Sequence, residues 1–345
     1  SGSLVVIRSY VPRMSRLQDR QKSFSIIEGA NMLAIVSGPL VQLGCTALED
    51  KDDLVLFNWL KFNMYTVPIW ISLILNCVTL YIVAFHFKEP ELSEIEGEEQ
   101  LSLCAALKQA WTQLKKLNTR LVALCFFEKS ISSYGFAAMY TIMAPYVTET
   151  FNTSGSKALI ILSIGQSIAG LISLTTVAVF VFTPLARKAK ARYLFPFALT
   201  CYMLMFAASF PIQNSPIAEF VPIRNETSAP FGCDASRYTW CDDLYITQKE
   251  LWLAICCTLF GIAIPVSLIA FDTVYSHVLG SIDQNIMQGA LIIMDDTALA
   301  GAPVLSAWSF THFGPGPMWL SVSALMSVGL IIWTFMLPRL KKLGI

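Results

Sequence analysis

Apolar segments of about twenty residues recur along this chain, and they constrain its fold more than any other feature. Each is long enough to cross the ~30 Å of hydrocarbon in a bilayer. Eight of them run Lys22–Cys45, Asn63–Phe87, Arg120–Glu149, Ser156–Leu185, Arg192–Pro211, Glu250–Tyr275, Asn285–Thr311 and Pro317–Leu337. Because lipid cannot satisfy unpaired backbone groups, such segments form helices. The sequence therefore predicts an all-α polytopic membrane protein, embedded in a lipid bilayer.

Composition agrees with this class and excludes others. Charged residues make up 14% of the chain, against about 25% in soluble domains. No basic patch with interleaved aromatic residues indicates a nucleic-acid partner, and no histidine or cysteine pattern has metal-ligand spacing. Phosphate-binding, dinucleotide and nucleophile-elbow motifs are also absent from the sequence, so we expect neither an enzyme nor a cofactor.

Charge in the short loops predicts the orientation of the helices. Basic residues cluster at 13–22, 107–120, 186–192 and 338–345, and the positive-inside rule makes that side cytosolic. The long loop Ile212–Lys249 then lies on the opposite, luminal side. Two glycosylation sequons, at Asn152 and Asn225, fall on this side as well. Cys233 and Cys241 flank seven residues of the same loop, where we predict a disulfide, with two free thiols as the alternative.

The polar segment Lys88–Asn118 divides the chain. It begins acidic and continues as an amphipathic helix that we place on the cytosolic surface. Domain boundaries are therefore predicted at 1–87, 88–119 and 120–345, the last a half of six helices. The chain opens at Ser1 inside an apolar run, so we interpret the first half as truncated, with Leu4–Tyr10 the last turns of an incomplete helix.

An internal repeat supports two related halves. An ungapped shift of 264 residues places Pro39 on Pro303, Asn31 on Asp295 and Arg8 on Asp272. Repeated helical halves are a transporter architecture, with sites near the membrane midplane where the halves meet.

Several of these stretches resemble the major facilitator superfamily. "GANMLAIVSGP" (29–39) resembles the antiporter signature of its fifth helix, and "TPLARKAKARYL" (183–194) is similar to a degraded form of the loop after its eighth. "VVIRSY" (5–10) and "NMYTVPIWIS" (63–72) are similar to lysosomal members. The resemblance implies a transporter fold in an endolysosomal membrane, with chloride as a candidate substrate. The paired aspartates of "MDDTALAG" (294–301) depart from the small residues expected there, so the family gives them no role.

Ionisable residues inside the membrane are costly and indicate function unless they are paired structurally. The candidates for transport or for the cavity wall are Arg8, Glu128, Asp272, Asp295 and Asp296, followed by Glu28 and Lys129. Asp295 and Asp296 lie near the middle of their helix, where a titrating carboxylate would suit proton coupling. We expect both to face the protein interior or water. Their alternative role is a structural hydrogen bond.

The remaining candidates have specific expected positions. Arg8 and Asp272 lie at the cytosolic ends of their helices, where they would line the cavity and pair as a gate, unless they are interfacial. Glu128 is expected to face the cavity, and Lys129 to extend towards the cytosol. Glu28 is expected to pair with the basic loop before its helix.

Three functions remain open from the sequence. The first is a carrier that moves a small solute or ion by alternating access, with protons or chloride as candidate partners. The second is a passive anion channel in which Arg8 dominates, and the third is a membrane scaffold that transports nothing. Fold alone does not decide among them.

Overall fold

The computed structural model describes residues 11, 15, 19–45, 54–56, 60–62, 66–86, 119–210, 215–224, 231–242, 244–280 and 284–342. The helices are α1 Arg20–Cys45, α2 Val67–Phe85, α3 Thr119–Thr150, α4 Gly155–Phe182, α5 Leu185–Lys188, α6 Ala191–Ala208, α7 Lys249–Leu279, α8 Gln284–Phe313 and α9 Pro315–Lys342. The strands are β1 Leu54–Leu56, β2 Leu60–Phe62, β3 Ala218–Phe220 and β4 Tyr245–Thr247. Arg8, Asn225, the N-terminal helix end and the linker lie outside the described residues.

The long helices agree with the apolar segments, with ends within five residues of the predicted ones. Seven of the described helices are long and apolar enough to cross a membrane. The eighth predicted segment is α3, a helix of 32 residues that is more polar because it contains Glu128, Lys129 and several serines. The prediction of a polytopic all-α membrane protein is confirmed.

The long helices pack against one another in several close pairs. The closest pairs are α1 with α4, α3 with α8, α6 with α7, α6 with α9, and α4 with α7. Small residues permit the tightest approaches: a Cβ on Gly170 of α4 would lie 2.6 Å from Val36 of α1, and one on Gly261 of α7 only 2.7 Å from the Ala169 carbonyl oxygen. Glycine is therefore required where these backbones meet.

The bundle has two distinct ends. We call the "basic end" the one where α1 begins and α9 finishes, with Arg20, Arg187 and Arg192 on it. The "loop end" carries residues 215–248, whose strands β3 and β4 pair antiparallel. Cys233 and Cys241 form a disulfide there, as the sequence predicted. Charge at the loop end is matched, since Arg224 lies 3.4 Å from Glu149 and 3.1 Å from Asp234.

Candidate functional site

A buried ion pair joins α3 to α8 in the middle of the bundle. The Lys129 Nζ lies 3.2 Å from the Asp295 Oδ2, with side chains only 7% and 13% exposed. Ser133, one turn after Lys129, donates a hydrogen bond to the other carboxylate oxygen of Asp295. Lys129 is ten residues into α3, about 15 Å from the basic end at 1.5 Å per residue. The carboxylate therefore has a cation and a hydroxyl donor deep within the membrane-spanning part of the bundle.

The ion pair lies on the wall of a cavity of about 380 Å³. That volume is within the range of small-molecule sites. Side chains from α1, α3, α6, α7 and α8 enclose it. The polar lining comprises Asn31, Lys129, Ser132, Ser133, Tyr202, Ser267 and Asp295, and the apolar lining Met32, Ala34, Ile35, Phe136, Ile264, Leu268 and Leu299. The result is a mostly apolar chamber with one cation, one carboxylate and several hydroxyl groups.

One part of the cavity wall comes from α1. Asn31 lines the cavity, and its side-chain nitrogen donates to the Glu28 Oε2 at 3.1 Å. Glu28 is 1% exposed, and Asn31 of its own helix is one of its partners. Most of the basic loop that we expected to pair with Glu28 lies outside the described residues, so that pairing stays a prediction. The repeat had aligned Asn31 with Asp295, and both residues face this one chamber. Equivalent positions of the two proposed halves thus share the cavity.

Glu128 and Lys129 do not lie where we predicted. Lys129 faces the cavity, whereas Glu128 faces away from it towards α9, where its Oε2 would lie 2.8 Å from a Cβ on Gly329. Adjacent residues of a helix point about 100° apart, so only one of the two can face the chamber. Contacts with α8 and α9 decided which one.

Asp296 also differs from expectation. Its neighbour Asp295 is buried, but Asp296 is exposed on the other side of α8, so the prediction that both face the interior or water inside the protein is wrong for Asp296. The same 100° rotation separates them. Asp295 alone belongs to the cavity.

The basic end holds a second group of polar contacts. Arg20 of α1 is buried and donates from Nη1 to the Ser276 Oγ of α7 at 2.9 Å. Asp272, one turn before Ser276, is 2% exposed. The predicted pairing of Asp272 with Arg8 involves a residue outside the described ones, and Arg20 is a described arginine that reaches this region of α7. Nearby, Arg187 of α5 lies 3.1 Å from Asp19.

At the loop end, Asn152 is exposed in the turn between α3 and α4, with φ 51°. That left-handed conformation suits asparagine, and the amide is accessible for modification. The loop itself covers the helix ends: the Trp240 indole nitrogen donates to the Thr311 carbonyl oxygen at 3.2 Å, and its ring lies 5.1 Å from that of Phe310.

Sequence reasoning missed the polar residues that surround the ion pair. Ser133, Ser267 and Tyr202 were not singled out, since single hydroxyl residues are common in membrane helices. One signal was available for Ser133: it follows Lys129 by four residues, so both lie on one face of α3. Its carboxylate partner on α8 could not be found from α3 alone.

Comparison with known proteins found one matching family model and a similar protein. The family model of the Major Facilitator Superfamily matches residues 1–223. The chain is 22% identical over 368 residues to major facilitator superfamily domain-containing protein 8 of Xenopus laevis, an alignment that covers 99% of this chain and 70% of that protein.

Proposed function

The chain belongs to the major facilitator superfamily, and from this premise we propose that it carries a small anionic solute together with a proton by alternating access. One observation carries the proposal: the Lys129–Asp295 pair lies on the wall of a solute-sized cavity. A charged pair deep in a membrane protein is energetically costly, and such pairs commonly mark a transport pathway.

The pair gives a simple coupling scheme. With Asp295 ionised, Lys129 is neutralised and has little attraction for an anion. A proton on Asp295 removes that carboxylate charge and leaves the ammonium group as an uncompensated cation on the cavity wall. An anion then binds to Lys129, with the hydroxyl groups of the lining as further donors. Proton and anion thus bind together, and release of either restores the ion pair.

The contacts of α1 favour a carrier over an open pore. At the basic end α1 is held to α7 through Arg20 and Ser276, and Asp19 contacts Arg187. We interpret these contacts as closing the basic end, so that a solute would enter the cavity from the loop end. A passive channel would need a continuous path through both ends.

We further propose that the basic end is cytosolic and the loop end luminal. The positive-inside rule supports this orientation, as does the disulfide, since disulfides persist in oxidising compartments. An exposed Asn152 at the loop end is compatible with glycosylation. A lysosomal or other endomembrane location follows from the resemblance noted for the sequence. Asn152→Gln should remove a glycan that peptide N-glycosidase releases from the wild type, and an unshifted wild-type band would argue against Asn152 as a modified site.

In this transport cycle, the two halves that move against each other would be those on either side of the predicted boundaries at residues 87 and 119. Residues 1–87 would supply α1 and α2, and residues 120–345 the helices α3 to α9. The tight α1–α4 contact at Gly170 and Val36 then lies between the halves. Arg8 stays a proposed anion contact on the first of them.

Proteoliposomes test the proposal. The full chain is reconstituted with a pH-sensitive and a chloride-sensitive dye, with chloride as the probe anion and lactate as a second one. We expect an inwardly directed proton gradient at zero membrane potential to drive anion entry. Asp295→Asn should abolish this gradient-driven component, whereas the exposed control Asp296→Asn should retain it.

Each alternative function gives a distinct result. Flux that follows the membrane potential and ignores the pH gradient would indicate a passive anion channel and refute the carrier. An absence of flux with both anions, from protein that is folded and correctly inserted, would favour a scaffold. Gradient-driven flux that survives Asp295→Asn would remove the ion pair from the coupling mechanism.

A further inference from the structure

A second carboxylate lies close to the cavity but outside it. Glu128 is 0% exposed, and among the described residues neither of its side-chain oxygens has a hydrogen-bond partner. Burying an ionised carboxylate without a partner costs several kcal/mol, so a purely structural position would favour a leucine or a glutamine. Nothing in the ion-pair scheme above uses this residue.

The surroundings of Glu128 are apolar and tightly packed. Its Oε2 would lie 2.8 Å from a Cβ on Gly329 of α9, and Ile131 contacts the same position. Because Gly329 has no side chain, the carboxyl group fits directly against the backbone of α9. In this contact the side chain fits as a neutral acid, and a charge on it would have to be rehydrated by separating α3 from α9.

Among the described residues, no charged side chain is hydrogen-bonded to Glu128. Lys129 is bound to Asp295 on the cavity side, and α9 has no ionisable side chain before Arg339, about 15 Å along the helix. Cys125, one turn earlier on α3, is the titratable group beside it. Asp272 of α7 and Arg192 of α6 are the other buried ionisable residues on neighbouring helices, and neither is hydrogen-bonded to Glu128.

One polar residue of the cavity wall lies on the same face of α3 as Glu128. Ser132 follows Glu128 by one helical turn, so the two side chains lie on the same face of α3, with Cβ atoms about 5–6 Å apart. Ser132 lines the cavity, and its hydroxyl oxygen also lacks a hydrogen-bond partner among the described residues. The two groups are not hydrogen-bonded to each other, so a proton passes between them only when a side chain rotates or a water molecule bridges them.

We propose that Glu128 is a proton-binding site, separate from the Lys129–Asp295 pair, that exchanges its proton with the cavity through Ser132 and is held in its neutral form by the α3–α9 contact at Gly329. Uptake of the proton favours close packing of α3 on α9. Its release favours separation of the two helices. The site therefore links proton occupancy to the position of the helix that also carries Lys129.

Infrared spectroscopy on the full chain in lipid nanodiscs tests this site without any transport measurement. The wild-type minus Glu128→Gln difference spectrum at neutral pH should show the C=O band of a protonated carboxylic acid. The same subtraction with Asp296→Asn gives the reference spectrum of an exposed carboxyl group on α8. A carboxylate signature for Glu128 at neutral pH would overturn the proposal.

Two further variants keep the proposal testable if Glu128→Gln does not fold. Gly329→Ala places a methyl group against Oε2 and should weaken or shift the acid band, whereas Gly301→Ala, whose Cβ meets nothing within 4 Å, should leave it in place. Ser132→Ala should slow hydrogen–deuterium exchange of the band. An acid band that is indifferent to both Gly329→Ala and Ser132→Ala would refute the site. These outcomes do not depend on whether pH-driven flux is observed.

Discussion

Replacing one member of the Lys129–Asp295 pair should cost far more stability than replacing both. The charges are 3.2 Å apart and their side chains are 7% and 13% exposed. At an effective dielectric constant near 20, Coulomb's law gives an attraction of about 5 kcal/mol at that distance. Loss of one partner from a buried pair typically costs ~3–5 kcal/mol, because the other charge stays buried and uncompensated.

The assay is a double-mutant cycle. Unfolding free energies are measured by denaturant titration in detergent micelles for Lys129→Met, Asp295→Leu and the double variant. We expect each single variant to lose ~3–5 kcal/mol and the double variant to lie within about 2 kcal/mol of the wild type. In Lys129→Met, Ser133 still donates a hydrogen bond to Asp295. The carboxylate then keeps one of its two partners, but its charge is not neutralised.

A matched control comes from the exposed pair at the basic end. Arg187 and Asp19 are 3.1 Å apart but 67% and 41% exposed, so solvent screening should reduce their coupling to less than ~1 kcal/mol. If the Lys129–Asp295 cycle gave a coupling as small as this control, the two side chains would not be a buried pair, and the coupling scheme built on them would fail.

Three further predictions concern packing and the loop end. Gly261→Ala should lower stability by ~1–3 kcal/mol by overpacking, since its Cβ would lie 2.7 Å from a carbonyl oxygen of α4, while Gly301→Ala should be neutral or stabilising in a thermal melt; equal effects would refute this packing. Cys233→Ser opens an eight-residue disulfide loop and should destabilise its docked form by ~2–3 kcal/mol, seen as faster protease cleavage of residues 231–242; unchanged cleavage would show that packing alone holds the loop. A hydrogen bond from Ser236, with Arg224 nearby, lowers the pKa of Asp234 below its ordinary 3.8. The stability that ionised Asp234 gives the loop is therefore present above pH 3.8, and it is lost only as the pH falls through the lowered pKa of Asp234. Tryptophan fluorescence should accordingly stay constant from pH 7 to about pH 5, and Ser236→Ala should move the acid transition of the loop to higher pH; a transition that does not move would contradict this role for Ser236.

Much of the fold followed from the sequence for a simple physical reason. A bilayer requires about twenty apolar residues per crossing and leaves the backbone no alternative to a helix. The long helices and their order were therefore predictable, and the observed ends of α1 and α4 lie within three residues of the predicted ones. The disulfide was predictable because both cysteines lie in one loop on the non-cytosolic side. The family was also visible in short motifs, such as residues 29–39.

The candidate site was only partly predictable. Membrane-buried charges are rare enough to stand out, so Asp295 and Lys129 were both noted, although Lys129 was ranked low. Their pairing was not foreseen, because it depends on how α3 and α8 rotate against each other. The contact between Glu28 and Asn31, three residues along the same helix, was not foreseen either.

The sequence by itself determined that this chain crosses the membrane repeatedly as helices, which family it belongs to and which of its side chains are charged within the bilayer. Those properties depend on composition over segments, which hydrocarbon thickness selects directly. The tertiary structure alone decided that Lys129 meets Asp295 in a cavity, that Glu128 faces Gly329 and that Asp296 is exposed. Neighbouring residues of a helix differ by about 100° in direction, and only contacts with another helix fix which of them faces inwards.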